Sequence, residues 1–583
     1  FKANVGYANL KVLNFVTRDS VSEFRGLVTM TARGTTYDNA SGAININSTT
    51  YKNQDSNYKF QDFDIVSFFE GGERTLTINS PDIINGKIKG KFKIRDILKL
   101  AENSLGSIYT NFEPNTVDDG QYLNFYFNIY SKIAAVFFKD LTLSKNTFIE
   151  GRIETDEKGF ELTFNSPEIK FQDYFATNIN IDVNNRNPLF NTFIEIDSIN
   201  AGIYRASQFS LINVTKRDTL LIKTEFKGGT NNKDDYNLNL FYTIDEANKS
   251  VVGFKKSEVL FKGYEWFINS QKDTLNKVRF DRDFKTFDIS PIKINHYNEE
   301  ILFSGVLKDS IDKNLKLDFN EVELVKITPR IDSLSLKGVV NGKLNLIQDK
   351  GVYFPKSDVV ISSLFVNDYD LGDLTARVQG NNSITKYEVD VSLINDNLKS
   401  LAANGIIDFD TDNPRINIDV AFEEFLLDPL NPLGEGVINN IRGLVSGNAI
   451  VSGSLKKPGI YGELLLDRAG LSIPYLNVDY DFDFDSKVSL RDQQFIFNDV
   501  AMTDSKYFSK GSLNGFIAHN NFSDWKLGLE LTTDRLLVLN TEESEDELYY
   551  GTGFISGKAE IKGPTDQLVI EVRNGSTEAG TEF

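Results

Sequence analysis

Strict alternation of apolar and polar residues recurs along the whole chain and constrains the fold more than any other feature. It is clear over Arg415–Phe422 (RINIDVAF), Tyr387–Leu393 (YEVDVSL) and Lys526–Leu531 (KLGLEL). A period of two residues places the apolar side chains on one face of a β-strand. Turn-forming stretches such as Gly228–Asp235 (GGTNNKDD) separate these segments. At a spacing of roughly 8–12 residues, the chain predicts on the order of 40–50 strands.

Helical patterns are few. In Asp96–Tyr109 (DILKLAENSLGSIY) the apolar residues follow helical spacing, and Asp96 is placed to cap the helix. Pro429–Ile441 (PLNPLGEGVINNI) allows only short helical turns, because its prolines and glycines interrupt a longer helix. We therefore expect an all-β fold with one or two short helices.

The apolar faces of so many strands need a cover that a few helices cannot supply. A second sheet can pack on them and give a filled sandwich or solenoid core. Alternatively, the sheet curls and leaves an apolar groove. Such a groove requires an apolar ligand, because an empty apolar stripe of that size exceeds the apolar surface area that soluble proteins expose. No linker or shift of composition divides the chain, which favours one long repetitive sheet over a string of separate domains.

A weak repeat of the form apolar-x-Gly-x-Ala-x-apolar-x-Gly occurs at Val445–Gly453 (VSGNAIVSG) and Ile555–Gly563 (ISGKAEIKG). Its first glycine and its alanine fall on the apolar face of the predicted strands. They indicate either a bend or bulge in the sheet or room left for a ligand.

Composition and motifs exclude several functions. A net charge of −20 disfavours nucleic acid and anionic membrane surfaces as partners. The chain has no cysteine and two histidines, so thiolate and multi-histidine metal sites and Ser-His or Cys-His centres are not expected. Gly551–Ala559 (GTGFISGKA) resembles a phosphate loop but lacks its first glycine and its final Ser or Thr. Nothing singles out a carboxylate pair among the acidic residues, and we predict a protein that is not an enzyme.

The stretch Leu476–Asp485 (LNVDYDFDFD) alternates without a break. A calcium loop needs glycine at its sixth position, but the sixth residue counted from Asp479 is Phe484, and from Asp481 it is Ser486. We therefore predict that the aspartates form a solvated, unpaired face. The apolar residues on the opposite face of the strand then form part of an apolar lining.

No window approaches the roughly 20 apolar residues of a membrane-spanning helix. The chain begins at Phe1 without methionine, and we expect it to be part of a longer protein.

Two long segments carry a family resemblance. Phe425–Gly447 (FLLDPLNPLGEGVINNIRGLVSG) and Thr533–Gly563, with the stretch Tyr549–Gly553 (YYGTG), resemble the C-terminal region of the TamB family, which belongs to the AsmA-like group. The adjoining GPTDQLVIEV and the terminal GTEF extend the resemblance. The abundance of Asn, Lys and Phe resembles Bacteroidota members. We predict a repetitive β-groove region over 1–424, with a short helix near 96–109. A TamB-type C-terminal region continues it over 425–583 and ends before the family terminus.

The resemblance implies a long curled β-sheet with a hydrophobic interior, the β-taco or β-groove. It implies a location in the periplasm of a Gram-negative bacterium, with an inner-membrane helix outside this chain and an outer-membrane partner of the BamA superfamily, such as a TamA-like protein. The expected function is a bridge that carries phospholipid between the two membranes and supports outer-membrane biogenesis, without a cofactor but with bound phospholipid or detergent. A scaffold or chaperone for assembly or secretion of outer-membrane β-barrels is an alternative, and an extracellular β-solenoid adhesin is a second one.

The predicted lining comprises apolar residues on one face of five C-terminal segments. They are Ile416, Ile418, Val420, Phe422, Val445, Ala449, Val451, Leu476, Val478, Tyr480, Phe482, Phe484, Ile555, Ala559, Ile561, Leu568, Ile570 and Val572.

Overall fold

The computed structural model describes most of the chain. The described residues are 1–16, 18–108, 114–155, 159–187, 189–202, 204–216, 218–281, 283–309, 311–328, 334–380, 385–409, 413–434, 438–542, 550–565 and 567–582. They form two compact units, Phe1–His296 (unit 1) and Tyr297–Phe583 (unit 2). The predicted division at 424/425 marks the extent of the family-like motifs and stays a prediction.

Unit 1 is built from antiparallel ladders. Its strands among the described residues are β1 (Lys2–Asn9), β2 (Ser22–Arg33), β3 (Ser41–Asn53), β4 (Asn57–Phe60), β5 (Phe63–Glu70), β6 (Glu73–Asn79), β7 (Ile84–Lys91), β8 (Tyr122–Ile129), β9 (Leu141–Leu143), β10 (Phe148–Glu154), β11 (Phe160–Phe171), β12 (Tyr174–Asn184), β13 (Thr192–Asn200), β14 (Arg205–Lys216), β15 (Thr219–Gly228), β16 (Asp234–Ile244), β17 (Ser250–Phe254), β18 (Ser257–Phe261), β19 (Tyr264–Ile268), β20 (Lys277–Phe280) and β21 (Thr286–His296). Two α-helices, α1 (Ile97–Gly106) and α2 (Ser131–Phe137), and 3-10 turns at Ile94–Asp96 and Thr230–Asn232 complete it.

Unit 2 repeats the same plan. Its described strands are β22 (Glu299–Lys308), β23 (Asp312–Glu323), β24 (Leu336–Asp349), β25 (Val352–Val366), β26 (Tyr369–Asp370), β27 (Asp373–Gly380), β28 (Lys386–Asn395), β29 (Leu398–Asp408), β30 (Arg415–Leu426), β31 (Asn439–Ser454), β32 (Lys457–Ile473), β33 (Val478–Phe482), β34 (Ser486–Asp492), β35 (Gln494–Asp504), β36 (Lys510–Asn520), β37 (Ser523–Thr541), β38 (Gly551–Pro564) and β39 (Val569–Thr577). It also contains the one-turn helix α3 (Leu324–Ile327) and 3-10 turns at Asp428–Gly434 and Pro474–Leu476.

The predicted all-β fold is confirmed. The expected helix near 96–109 is present as α1, although Tyr109 lies outside the described residues. The short helical turns expected after Pro429 are the 3-10 turn Asp428–Gly434.

The predicted role of Asp96 is wrong. Its side chain makes no capping hydrogen bond. Instead, a carboxylate oxygen of Asp96 accepts a hydrogen bond of 3.0 Å from Nε2 of Gln121, just before β8. The carboxylate thus ties the start of α1 to the sheet.

Helix α1 packs on the sheet of unit 1. Leu100 of α1 and Ile108 beyond it are buried in one cluster with Ile88 of β7, Leu123 of β8 and Phe160 of β11. Helix α1 therefore covers the apolar face of the sheet at these strands.

Candidate functional site

One row of apolar residues crosses unit 2 from strand to strand. Directly opposed residues in an antiparallel ladder share a face, so the pairing registers trace the row. It passes through every strand from β23 to β39 except β26 and β33, and we call it the first apolar row. Its members are Val322, Val340, Ile361, Leu374, Leu393, Leu401, Phe422, Gly447, Leu464, Val488, Phe497, Gly515, Leu529, Ile561 and Ile570.

A second apolar row runs beside the first on the same face. It begins on β22 and reaches β38, again passing by β26 and β33. Its members are Ile301, Phe319, Gly342, Val359, Ala376, Val391, Ala403, Val420, Ala449, Gly462, Leu490, Phe495, Ile517, Leu527 and Gly563. The two rows together form a continuous apolar band.

Unit 1 has a band of the same kind. One row crosses β2, β3, β5 to β8 and β10 to β16, and its one polar member, Thr224, donates its hydroxyl to the carbonyl of Ser210 at 2.9 Å. The row is Met30, Ile44, Ile65, Ile78, Gly86, Phe127, Ile149, Phe164, Ile181, Ile194, Leu211, Thr224 and Leu238.

The band of unit 2 is only half-buried along much of its length. On β30, Ile416, Ile418, Val420 and Phe422 are half-buried, whereas the intervening residues of the opposite face are exposed. On β24, Leu344 keeps 39% of its surface exposed. A filled sandwich core would bury these side chains fully, so this part of the face remains accessible to an apolar ligand.

Beside the C-terminal strands of the band, residues that belong to neither row form a closed end of the sheet. Tyr480 of β33 is buried and donates its hydroxyl to the carbonyl of Leu537 in β37 at 2.8 Å. Val478, Leu536 and Phe554 are buried in the same cluster. Burial raises the pKa of the Tyr480 phenol. Here the sheet curls until β33 meets β37, and side chains fill the interior.

The predicted lining residues therefore fall into three groups. The half-buried group comprises the predicted residues on β30 together with Leu476, Phe482, Val451, Ile555, Ile561 and Leu568. Val445, Ala449, Val478, Tyr480 and Ala559 are buried. Phe484, and Ile570 and Val572 of the last strand, are more than half exposed. Their contact with lipid stays a prediction.

The strand predicted over Leu476–Asp485 is shorter than the alternation suggests. Leu476 ends a 3-10 turn, Asn477 is left-handed (φ 49°), and Asp485 turns the chain again (φ 59°). Only Val478–Phe482 is strand. Phe484 consequently lies in a turn, 71% exposed, and does not share the row of Tyr480.

Two aspartates of this stretch, Asp479 and Asp481, are paired, which corrects the prediction of an unpaired face at these two positions. Arg442 of β31 donates from Nη2 to Asp479 and to Asp481, at 2.5 Å each. Asn440 and Ser472 also donate to Asp479. Burial lowers the pKa of the Arg442 guanidinium, but the hydrogen bonds to the two carboxylates have the larger combined effect and raise it. The acidic face is thus held to its neighbouring strands by one arginine.

The glycines of the repeat are required by the sheet itself. Gly447 has φ 143°, and a Cβ there would lie 2.3 Å from the carbonyl oxygen of Glu463. Gly557 has φ 115°, and its Cβ would lie 2.5 Å from the carbonyl oxygen of Asn574. Of the two alternatives left by the sequence, the structure favours the bend over space for a ligand at these two positions.

Sequence reasoning missed most of the band. Val322, Leu374, Leu393, Val488 and Leu529 lie in the first row but were not predicted as lining. Their alternation was visible, but which strands are neighbours, and in which register, follows only from the pairing.

Within the described part of the chain, no cluster of three or more His, Asp or Glu residues could hold a metal ion. No helix there is long and apolar enough to cross a membrane.

Comparison with known proteins gives one match. Residues 501–580, from the end of β35 into the last segment after β39, match the family model of the TamB C-terminal domain. No curated protein and no solved structure matches the chain significantly.

Proposed function

We propose that this chain, whose residues 501–580 match the TamB C-terminal domain, carries phospholipid along its apolar band between the inner and the outer membrane. The match to this family supports a role in outer-membrane assembly and transport within the cell envelope. Phospholipid is the proposed cargo, and the residues of the apolar band are its proposed path.

The observation that carries the proposal is the unbroken apolar register of unit 2. Each buried CH₂ of an acyl chain gains about 0.8 kcal/mol, whichever apolar side chain it touches. An acyl tail can therefore pass from one pair of strands to the next without a specific site at each step. No catalytic group is needed, which fits a transport and assembly module.

We further propose that the chain works in the periplasm with an outer-membrane BamA-superfamily partner, such as a TamA-like protein, and that a helix outside this chain anchors it in the inner membrane. The partner would receive the lipid or use it during biogenesis. Bound phospholipid, or detergent after purification, is the expected occupant of the band.

Charge placed on the band tests the proposal. Val420→Lys puts an ammonium in the second row, where burying it against an acyl chain is costly, and Asp419→Lys puts the same group on the exposed face of the same strand. Mass spectrometry of gently purified protein should find phospholipid with the wild type and with Asp419→Lys, and several-fold less with Val420→Lys. Absence of lipid from the wild type, or equal retention by the two variants, would overturn lipid carriage.

The last strand favours a second candidate function, that of a scaffold for outer-membrane β-barrel strands. Among the described residues β39 pairs with β38 alone, and Val569, Ile570 and Val572 are each more than half exposed. An open edge can add a strand from another chain. A photo-crosslinker at Val569 that captures nascent barrel proteins, in a protein that retains no lipid, would favour this function over the first.

A further inference from the structure

The loop that joins β2 to β3 reaches across two neighbouring strands of unit 1. It comprises residues 34–40, which we call the strap, and in the sheet β3 is followed by β5, β6 and β7. The hydroxyl of Ser67 in β5 donates to the carbonyl of Ala40 in the strap at 3.3 Å. A carboxylate oxygen of Asp38 in the strap lies 3.3 Å from Nε of Arg95, in the 3-10 turn after β7. The strap therefore extends from β3 over β5 and β6 to the end of β7.

Arg74 of β6 lies beneath the strap. It opposes Gly90 of β7, which in turn opposes Leu123 of β8, so the side chain of Arg74 shares the apolar face with the buried Leu123. Nη2 of Arg74 donates to the carbonyls of Tyr37 and Ala40 in the strap, at 3.2 Å each. Only 1% of the Arg74 surface is exposed. The strap thus covers a cation at the edge of the apolar face.

The strap is held together mainly by its own hydrogen bonds. Oδ1 of Asn39 accepts hydrogen bonds from the backbone N–H groups of Thr35 and Thr36, at 2.9 and 2.8 Å, and Nδ2 of Asn39 donates to the hydroxyl of Thr35 at 2.9 Å. These bonds do not involve the sheet. Gly34, at the base of the strap, has φ 140°, a conformation open to glycine. The strap can therefore move as a unit about its base.

The contacts that keep the strap on the sheet are weak. Arg95 keeps 64% of its side chain exposed, and an exposed ion pair contributes little. Nε and Nη1 of Arg74 and Oδ1 of Asp38 are buried, and none has a hydrogen-bond partner in the described part of the chain. Burial of charged groups with unfilled hydrogen bonds is costly. Hydration of these atoms on opening therefore offsets part of the contacts that opening breaks.

We propose that the strap is a gate, which is closed in this structure and moves away from Arg74 when the ion pair between Asp38 and Arg95 is released. In the open position water reaches the guanidinium of Arg74, and the edge of the apolar face at β5 and β6 is uncovered. A role of this opening in the entry or exit of phospholipid rests on the proposed function. The opening itself needs no lipid.

Chemical modification of Arg74 in purified, lipid-free protein tests the gate. Phenylglyoxal modifies arginine side chains that solvent reaches, and mass spectrometry of peptides locates the product. When opening and closing are fast, the rate at a buried site follows the population of the open form. Arg95→Gln removes the charge that holds Asp38 and should raise the rate at Arg74 about 1.5- to 5-fold, the factor by which an exposed ion pair shifts an equilibrium. Arg468, which is exposed in unit 2, is the reference for the reagent.

A matched variant and salt separate this ion pair from a general loosening. Lys99→Gln makes the same change of charge on α1, at a lysine that has no ion pair among the described residues, and should leave the rate at Arg74 unchanged. Raising NaCl from about 0.05 to about 0.5 M should bring the wild type toward Arg95→Gln and leave that variant unchanged, because salt screens exposed ion pairs. Both rates are taken relative to Arg468.

Two results would overturn the gate. One is an equal rate at Arg74 in the wild type and in Arg95→Gln at low salt. The other is the absence of modification at Arg74 in every variant after Arg468 has reacted fully, which would mean that the strap does not open. Neither result bears on lipid retention by Val420→Lys, so the gate and lipid carriage can fail independently.

Discussion

Gly447 shows how the backbone alone fixes a residue in the apolar face. It lies between Phe422 and Leu464 in the first row, with a positive φ and the carbonyl of Glu463 in the place of a Cβ. Both features exclude a side chain without a shift of the strand.

Gly447→Ala should therefore destabilise unit 2 by about 1–3 kcal/mol, measured as the free energy of unfolding in urea. Gly6→Ala is the matched control, because no heavy atom lies within 4 Å of the added Cβ. Similar stability of both variants would show that the strands can move apart at Gly447, and that this position has space after all.

Asp19 is a second residue whose surroundings define a measurable property. The hydrogen bond from Arg18 lowers the pKa of its carboxyl, burial opposes this, and the hydrogen bond from Tyr51 adds to the lowering. A lowered pKa in the folded state means that the ionised form stabilises the fold. This contribution is complete above the unfolded pKa of about 3.9 and is lost as the pH falls through the lower folded value.

Asp19→Asn should consequently cost stability at about pH 7, and the difference from the wild type should shrink at about pH 3. Urea unfolding at the two pH values measures it. A difference of the same size at both would mean that the charge of Asp19 does not stabilise the fold.

At the scale of elements, the structure separates a filled end from an accessible face. Leu536 of β37 is fully buried in the cluster that holds Tyr480, whereas Ile418 of β30 is only half-buried. Removing side-chain atoms from a filled core leaves a cavity, but an accessible face loses only part of its contacts.

Leu536→Ala should therefore lower the free energy of unfolding by about 2–5 kcal/mol, and Ile418→Ala by less than about 1.5 kcal/mol. Urea unfolding of lipid-free protein compares them. If Ile418→Ala cost as much as Leu536→Ala, the face at β30 would be packed as tightly as the closed end.

The elements also show what a sequence can predict here. Alternation identified β28 and β30 and their apolar sides, because period two is a local property. It overextended β33. The left-handed residues Asn477 and Asp485, which lie on either side of this strand, fit the same alternation of polar and apolar residues, so the sequence does not mark them as turns. Alternation missed α2, whose run of apolar residues (IAAVF) fits a buried strand equally well. The carbonyls of α2 accept hydrogen bonds from Arg18 and Tyr58, which are distant in the sequence.

The apolar band is a property of the whole molecule and could be predicted only in part. One face of each strand could be assigned from the sequence, but continuity needs the register of every pair. The bulges that shift this register, as between Phe422 and Phe425 against β31, leave no clear local mark. The resemblance to TamB proteins came from Phe425 onward, and the family match confirms it over 501–580.

The measurement that tests the account most directly is site-specific photo-crosslinking in living cells. A benzophenone amino acid replaces Ile418 on the band, Asp419 on the opposite face of the same strand, or Leu536 in the closed end. We expect phospholipid adducts at Ile418 and none at Asp419 or Leu536. No adduct at Ile418, or equal adducts at Ile418 and Asp419, would contradict a lipid path along the apolar band.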